Sequence, residues 1–143
     1  MSDIEIRHAQ PGDAGLVERA AGLFDKAPIS AATAAFLAAP DHHLLIALVD
    51  GEPAGFVSGV ETIHPDKGTE MFLYELGVDE AFRGRGIGVA LVEALAALAR
   101  DRGNYGMWVL TDADNDAAIA TYQRAGASSS SDHLMLEWRF ADR

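Results

Sequence analysis

Leu76-Gly77-Val78-Asp79-Glu80-Ala81-Phe82-Arg83-Gly84-Arg85-Gly86-Ile87-Gly88 is the stretch that decides the fold. Upstream of it, Met71 to Val78 is apolar almost throughout, which predicts a central strand. Downstream, Ile87, Ala90, Leu91, Ala94, Leu95 and Leu98 recur at three- and four-residue steps, and Arg100 and Arg102 suit a helix C-terminus. Arg83 to Gly88 is therefore a glycine-rich passage from strand to helix. Glycines let backbone amides approach an anion closely, and the helix start adds the positive end of its dipole. Arg83 and Arg85 supply charge suited to phosphate. Two other phosphate loops are excluded. A Walker loop needs Lys and then Ser or Thr after its last glycine, and a dinucleotide fingerprint needs a small residue where Val89 stands.

Working outward, Ile4 to Arg7 alternates as a short strand. Asp13, after Pro11-Gly12, is positioned to cap a helix running to about Phe24. A second helix is predicted from Ser30, ending before Pro40. His43–Val49 and Ala54–Val60 flank Asp50-Gly51, the strongest short hairpin signal. Met107 to Leu110 reads as a buried strand, Ala117 to Arg124 as a short helix stopped by Gly126, and Leu134 to Phe140 as a last strand. No repeat or linker divides residues 1–143, so a single domain is expected.

Composition narrows the function classes. The 143 residues include no cysteine, which excludes a disulfide scaffold, thiolate metal sites and a cysteine nucleophile. Twenty-two acidic against eleven basic residues give a net charge of −11, which repels a phosphate backbone and draws in cations. Nucleic acid is thus not expected as a partner. No apolar run reaches the roughly 18–20 residues of a membrane span, and the acidic start Met1-Ser2-Asp3-Ile4-Glu5 is unlike a signal peptide. A soluble, cytoplasmic protein without a membrane partner is the expectation. His8, His42, His43, His64 and His133 show no metal-ligand spacing with carboxylates, so no metal is assigned.

Asn115, Ala118, Tyr122 and Gly126 form a second pattern, in which a small residue and a tyrosine share one helix face before a glycine stop. Leu76-x-Val78 with Arg83-x-x-Gly86-x-Gly88 resembles the acetyl-coenzyme A signature of the GNAT superfamily of N-acetyltransferases. Asn115-x-x-Ala118-x-x-x-Tyr122-x-x-x-Gly126 resembles that family's second motif, and the order of elements is similar over nearly the whole chain. The fold implied is α+β, a GNAT-like domain whose central, mostly antiparallel sheet has splayed middle strands and flanking helices.

The resemblance also implies roles. Amides of Arg83, Gly84, Arg85, Gly86, Ile87 and Gly88 would hold the pyrophosphate of acetyl-CoA. Backbone at Leu76 and Val78 would pair with the thioester and pantetheine, with a bulge at Gly77 splaying the strands. Asn115 would bond the pantetheine arm beside Ala118, and Tyr122 would protonate the departing thiolate. Ala127 departs from the aromatic often found after the glycine, a packing position. Glu75 occupies a place from which such enzymes draw a carboxylate. Its apolar neighbours Leu73 and Leu76 favour a base over a solvated glutamate, acting on the amine directly or through water.

Phe72 to Val78 and Asp112 to Tyr122 are most similar to the aminoglycoside 3-N-acetyltransferases of the gentamicin and fortimicin type, with Glu75 in place of an aspartate. That branch implies a cationic small-molecule amine held by Glu75, Asp112 and Glu137, with Asp114 and Asp116 nearby. Polyamines and protein N-terminal amines are the alternative acceptors. A non-catalytic coenzyme-binding module is a different class, and it would need neither Glu75 nor Tyr122. Homodimers occur among relatives, although no residue of the sequence forces one.

Overall fold

Asp50 and Gly51 both take positive φ, 49° and 83°, the backbone that a two-residue hairpin matched to sheet twist requires. They join β2 (His42–Val49) to β3 (Glu52–His64), the centre of a five-stranded sheet. The computed structural model describes residues 3–142. β1 (Ile4–His8) lies antiparallel to β2, β4 (Gly68–Val78) antiparallel to β3, and β5 (Met107–Val109) parallel to β4, giving the order β1-β2-β3-β4-β5.

Both faces of the sheet are covered, which explains why β2 is apolar without alternation. Leu45, Ala47 and Val49 face a core completed by Leu91, Val92 and Leu95 of α3 (Ile87–Asp101). Leu44, Ile46 and Leu48 face the opposite way, onto Leu16 and Val17 of α1 (Ala14–Arg19) and Leu37 of α2 (Ser30–Ala38). α4 (Asp116–Arg124) packs beside α3. No helix of the described residues is long and apolar enough to cross a membrane.

Several expectations are corrected. Leu134–Phe140 is not a strand: residues 127–142 carry no regular secondary structure, and their large apolar side chains are exposed. A period of two tells which side chains share a face but not which neighbour supplies the hydrogen bonds. β5 is only three residues long, and Trp108 within it is part-exposed at the sheet edge rather than buried. Asp13 precedes α1, yet its carboxylate accepts the Gln10 N–H at 2.7 Å instead of capping the helix. That helix stops at Arg19, and a separate 3₁₀ turn follows at Ala21–Leu23.

Candidate active site

β4 and β5 pair only through Met71, Phe72 and Leu73 with Met107, Trp108 and Val109. Residues 74–78 continue along β3, with no strand on their other side among the described residues. The cause lies in the register: Ser58 pairs Glu75 and Gly59 pairs Leu73, so Tyr74 is an extra residue. Such a bulge adds twist and turns the strand end aside. The bulge therefore sits at Tyr74, not at Gly77. Gly77 answers a different need, because a Cβ there would stand 2.9 Å from the Phe56 ring. Leu76 and Val78 pack toward α3 and leave an open backbone edge beside the gap.

From Val78 the chain runs into a 3₁₀ turn, Glu80–Phe82, whose Ala81 N–H donates to the Asp79 carboxylate at 2.9 Å. Gly84 and Gly86 then adopt φ of 77° and 78°, left-handed backbone that other residues enter only under strain. Gly86 stands at the N-terminus of α3. Among the described residues the N–H groups from Gly84 to Val89 have no partner, so the loop presents unpaired donors at a helix start. Arg83 donates to the Val78 carbonyl at 3.3 Å, and the Arg85 guanidinium lies 5.3 Å from the centre of the Phe82 ring. Both cations stay at the loop. A cradle of this kind fits a pyrophosphate.

A Cβ on Gly88 would meet Thr121 of α4 at 3.4 Å and Val78 at 3.7 Å, so this glycine seats α4 against the loop. The Asn115 Oδ1 accepts the Ala118 N–H at 3.1 Å and caps α4, which leaves its NH₂ group for a ligand. Tyr122 is half-buried against the α3 core, and that burial pushes its hydroxyl above the ordinary value. A tyrosine so placed stays protonated at neutral pH. Asn115, Ala118 and Tyr122 thus stand on, or at the start of, the helix that Gly88 seats against the loop.

Glu75 opens onto the other face of β4. It borders a cavity of about 930 Å³ walled by Phe24, Phe36, Phe56, Phe72 and Tyr74, with Asp25 and Ser58 also on its lining. The Glu75 N–H donates to the Ser58 Oγ at 3.2 Å across the bulge, while its carboxylate has no hydrogen bond among the described residues. Burial, and then the neighbouring Asp25 charge, raise the Glu75 pKa.

The anionic cleft expected from the sequence is not assembled. Asp112 is exposed in the loop before α4, where its carbonyl receives the Asn115 N–H, and Glu137 lies in segment 127–142; neither lines the cavity of Glu75. Asp25 supplies the second carboxylate instead. It follows the first helical region without any motif, so only tertiary packing reveals it. The aromatic wall carried a fainter signal: Phe72 and Tyr74 alternate with buried Met71 and Leu73, which marks a strand presenting aromatics on its second face.

Comparison with known proteins agrees with this architecture. The chain is 37% identical over 90 residues to the N-alpha-acetyltransferase RimI of Mycobacterium tuberculosis, covering 63% of this chain and 54% of that protein. It is 34% identical over 90 residues to a mycothiol acetyltransferase of Paenarthrobacter aurescens, covering 61% of this chain and 27% of the relative. The chain thus spans from about a quarter to about half of these curated relatives. Among solved structures, an aminoglycoside acetyltransferase from an uncultured soil metagenomic sample superposes with a TM-score of 0.89 at 17% identity, over 96% of this chain and 97% of that one. The aminoglycoside N-acetyltransferase AAC(6')-Iy in complex with CoA superposes with a TM-score of 0.79 at 22% identity, over 97% of each chain. Residues 16–127 match the model of the acetyltransferase (GNAT) family, and with the splayed strands and glycine loop in place the chain belongs to that family.

Proposed function

We propose that the chain transfers an acetyl group from acetyl-CoA to a primary amine of a cationic small molecule, an aminoglycoside, using Glu75 as base and Tyr122 as acid. One observation carries this reading: a carboxylate without hydrogen-bond partners among the described residues, its pKa raised by burial and Asp25, borders a large cavity beside the gap between β4 and β5. Acetyl-CoA, when bound, supplies an acyl thioester. The free amides of residues 84–88, with the side chains of Arg83 and Arg85, would bind its pyrophosphate, and the edge at Leu76, Gly77 and Val78 would hold its arm together with Asn115 and Ala118.

An ammonium group cannot attack a carbonyl, so the acceptor must lose a proton. Glu75 takes it, directly or through water, and Asp25 holds the positive charge of the acceptor close by. Tyr122 keeps its proton until the sulfur leaves and then donates it. Flat apolar walls accept the ring faces of a sugar, while the two carboxylates hold its ammonium groups. The resemblance in sequence favours the 3-amino position. A polyamine or a protein N-terminal amine is the competing acceptor, the latter supported by similarity to a protein named as an N-alpha-acetyltransferase.

The test is thiol release from acetyl-CoA with aminoglycosides, polyamines and peptides as acceptors, with regiochemistry read by NMR. Aminoglycosides should turn over, and their binding should weaken as salt rises, because part-exposed charges are screened over about 8–10 Å. Acetylation of peptides or polyamines alone would remove the aminoglycoside reading. Calorimetry on Gly86→Asp tests the coenzyme site separately: a carboxylate set against phosphate should abolish acetyl-CoA binding in a folded protein.

A further inference from the structure

His42 and His43 open β2 side by side, and the pleat sends their side chains to opposite faces of the sheet. His43 is buried, and its Nε2 bonds the Glu61 carboxylate at 2.9 Å. His42 borders the cavity of Glu75 on the other face. Two contacts hold its ring. Its Nδ1 stands 2.9 Å from the Asp41 Oδ1, and it meets Phe36 edge-on with ring centres 5.4 Å apart. The bond from His42 is the main cause that keeps the Asp41 carboxyl below its ordinary pKa. An ionised carboxylate only accepts, so Nδ1 carries the proton of the neutral imidazole and Nε2 is left as an acceptor. That nitrogen has no hydrogen-bond partner among the described residues.

The strand register fixes how far His42 stands from Glu75. His42 lies opposite Val60, and Val60 opposite Phe72; in the next row Leu44 lies opposite Ser58, and Ser58 opposite Glu75. All six residues line the cavity, so these two rows are its floor. Strands lie about 4.8 Å apart and rise about 3.3 Å per residue, so two strands across and two residues along separate the two backbones by about 12 Å. Side chains stand roughly perpendicular to a sheet, which keeps the imidazole and the carboxylate at about this separation. The floor thus carries a hydrogen-bond acceptor at each of two opposite corners, with Leu44, Val60 and Phe72 as apolar surface beside them.

We propose that His42 selects the amine substrate by its length: its Nε2 accepts a hydrogen bond from a hydroxyl or ammonium group about 12 Å from the nitrogen that Glu75 deprotonates. The inference rests on the reading of Glu75 as the base and adds a second point of attachment to it. The class of substrate is then a primary amine on a scaffold of at least two linked rings, with a donor at its far end. A single-ring amine reaches one corner and leaves the other empty. Between the corners, the apolar floor and the Phe36 ring cover the faces of the scaffold without asking for a particular polar group.

Three probes test it: 2-deoxystreptamine, with a single ring; neamine, with a second ring bearing an amine at its far end; and paromamine, with a hydroxyl in place of that amine. His42 is part-exposed at the start of a strand, so His42→Ala should fold. It should raise KM for the two-ring compounds by about 3- to 10-fold, the weight of one hydrogen bond, with kcat little changed. KM for the single ring should not move. His42→Gln, whose carbonyl accepts the same bond, should restore most of the loss. A loss confined to neamine assigns the ammonium donor, and one confined to paromamine the hydroxyl. A KM that rises equally for one and two rings would overturn the proposal, and so would a KM unchanged for all three. Calorimetry on the same proteins separates this from the reaction. Two-ring compounds that bind with the His42 preference but release no thiol from acetyl-CoA would sink acetyl transfer and leave the second corner standing. Two-ring compounds acetylated alike by wild type and His42→Ala, with equal affinity, would do the reverse.

Discussion

Glu61 and Glu75 lie on paired strands, the first buried and the second part-buried, and their surroundings drive them in opposite directions. Glu61, on β3, is 7% exposed. Its carboxylate accepts from Arg102 Nε at 2.8 Å and Asn104 Nδ2 at 2.8 Å, and it pairs with His43 Nε2 at 2.9 Å. Burial alone would raise its pKa, but the bonds from His43, Asn104 and Arg102 outweigh burial and hold it below the usual carboxylate range. Glu75, on β4, has the burial without the donors and faces a second carboxylate, so its pKa rises. The first arrangement ties β2, β3 and the end of α3 together. The second leaves a charge unsatisfied at the rim of a cavity. Burial of an acid is thus uninformative about its role until its hydrogen bonds are counted.

The largest effect should come from breaking the unsatisfied member. Glu75→Gln is expected to lower turnover by about 100- to 10,000-fold, the range for a positioned general base. Its folding stability at neutral pH should hold or rise, since the variant removes a charge that the fold does not solvate. Urea unfolding and steady-state rates on one preparation check both halves. The reverse is expected of Glu61→Gln. It should lose about 1–3 kcal/mol of stability by leaving buried partners without their acceptor, while turnover of the folded protein changes little. Loss of stability in the Glu75 variant, or loss of turnover in a folded Glu61 variant, would break the contrast.

The pH dependence of stability sharpens the same comparison with a smaller signal. The folded-state pKa of Glu61 is lowered, so its contribution is present above the unfolded value of 4.5 and is lost as pH falls through the folded one. The folded-state pKa of Glu75 is raised, so its contribution is present below the unfolded value of 4.5 and is lost as pH rises through the folded one. Relative to wild type, Glu61→Gln should therefore become less damaging on acidification below about pH 4.5. Glu75→Gln should gain its advantage as pH rises above that point. Denaturant midpoints between pH 3 and 7 would show the two trends with opposite signs.

Much of this was legible in the sequence where short-range chemistry decides the outcome. Asp50-Gly51 fixed the hairpin, the glycines at 84 and 86 fixed the loop, and the three- and four-residue spacing fixed α3. Glu75 was singled out by the family resemblance rather than by local chemistry, and what the structure adds is its place on the lining of the cavity. What escaped reading depends on partners distant in the chain. Asp25 reaches the Glu75 cavity only because the segment after α1 folds over the sheet, and Glu61 finds Arg102 and Asn104 more than forty positions away. The bulge fell at Tyr74 because Ser58 lies opposite Glu75 across it. At Leu134–Phe140 the strand pattern was plain while its neighbour was not, since periodicity carries no address.

The finest distinction concerns Asp25, which separates burial from charge as causes of the raised Glu75 pKa. Burial is the larger cause, and the Asp25 charge adds to it. Asp25→Asn keeps size and shape and removes only the charge, so the Glu75 pKa should fall part of the way toward its ordinary value. The acid limb of the kcat/KM profile reports the base in the free enzyme, and it should therefore move to lower pH. A positively charged acceptor should also bind less tightly, raising KM more than it lowers kcat, because the lost attraction acts on the bound ground state and the transition state alike. The move of the acid limb should vanish in the Glu75→Gln background, where no base remains to be shifted. A limb that stays in place in Asp25→Asn would mean that burial alone raises Glu75. A limb that moves equally in both backgrounds would assign it to another group.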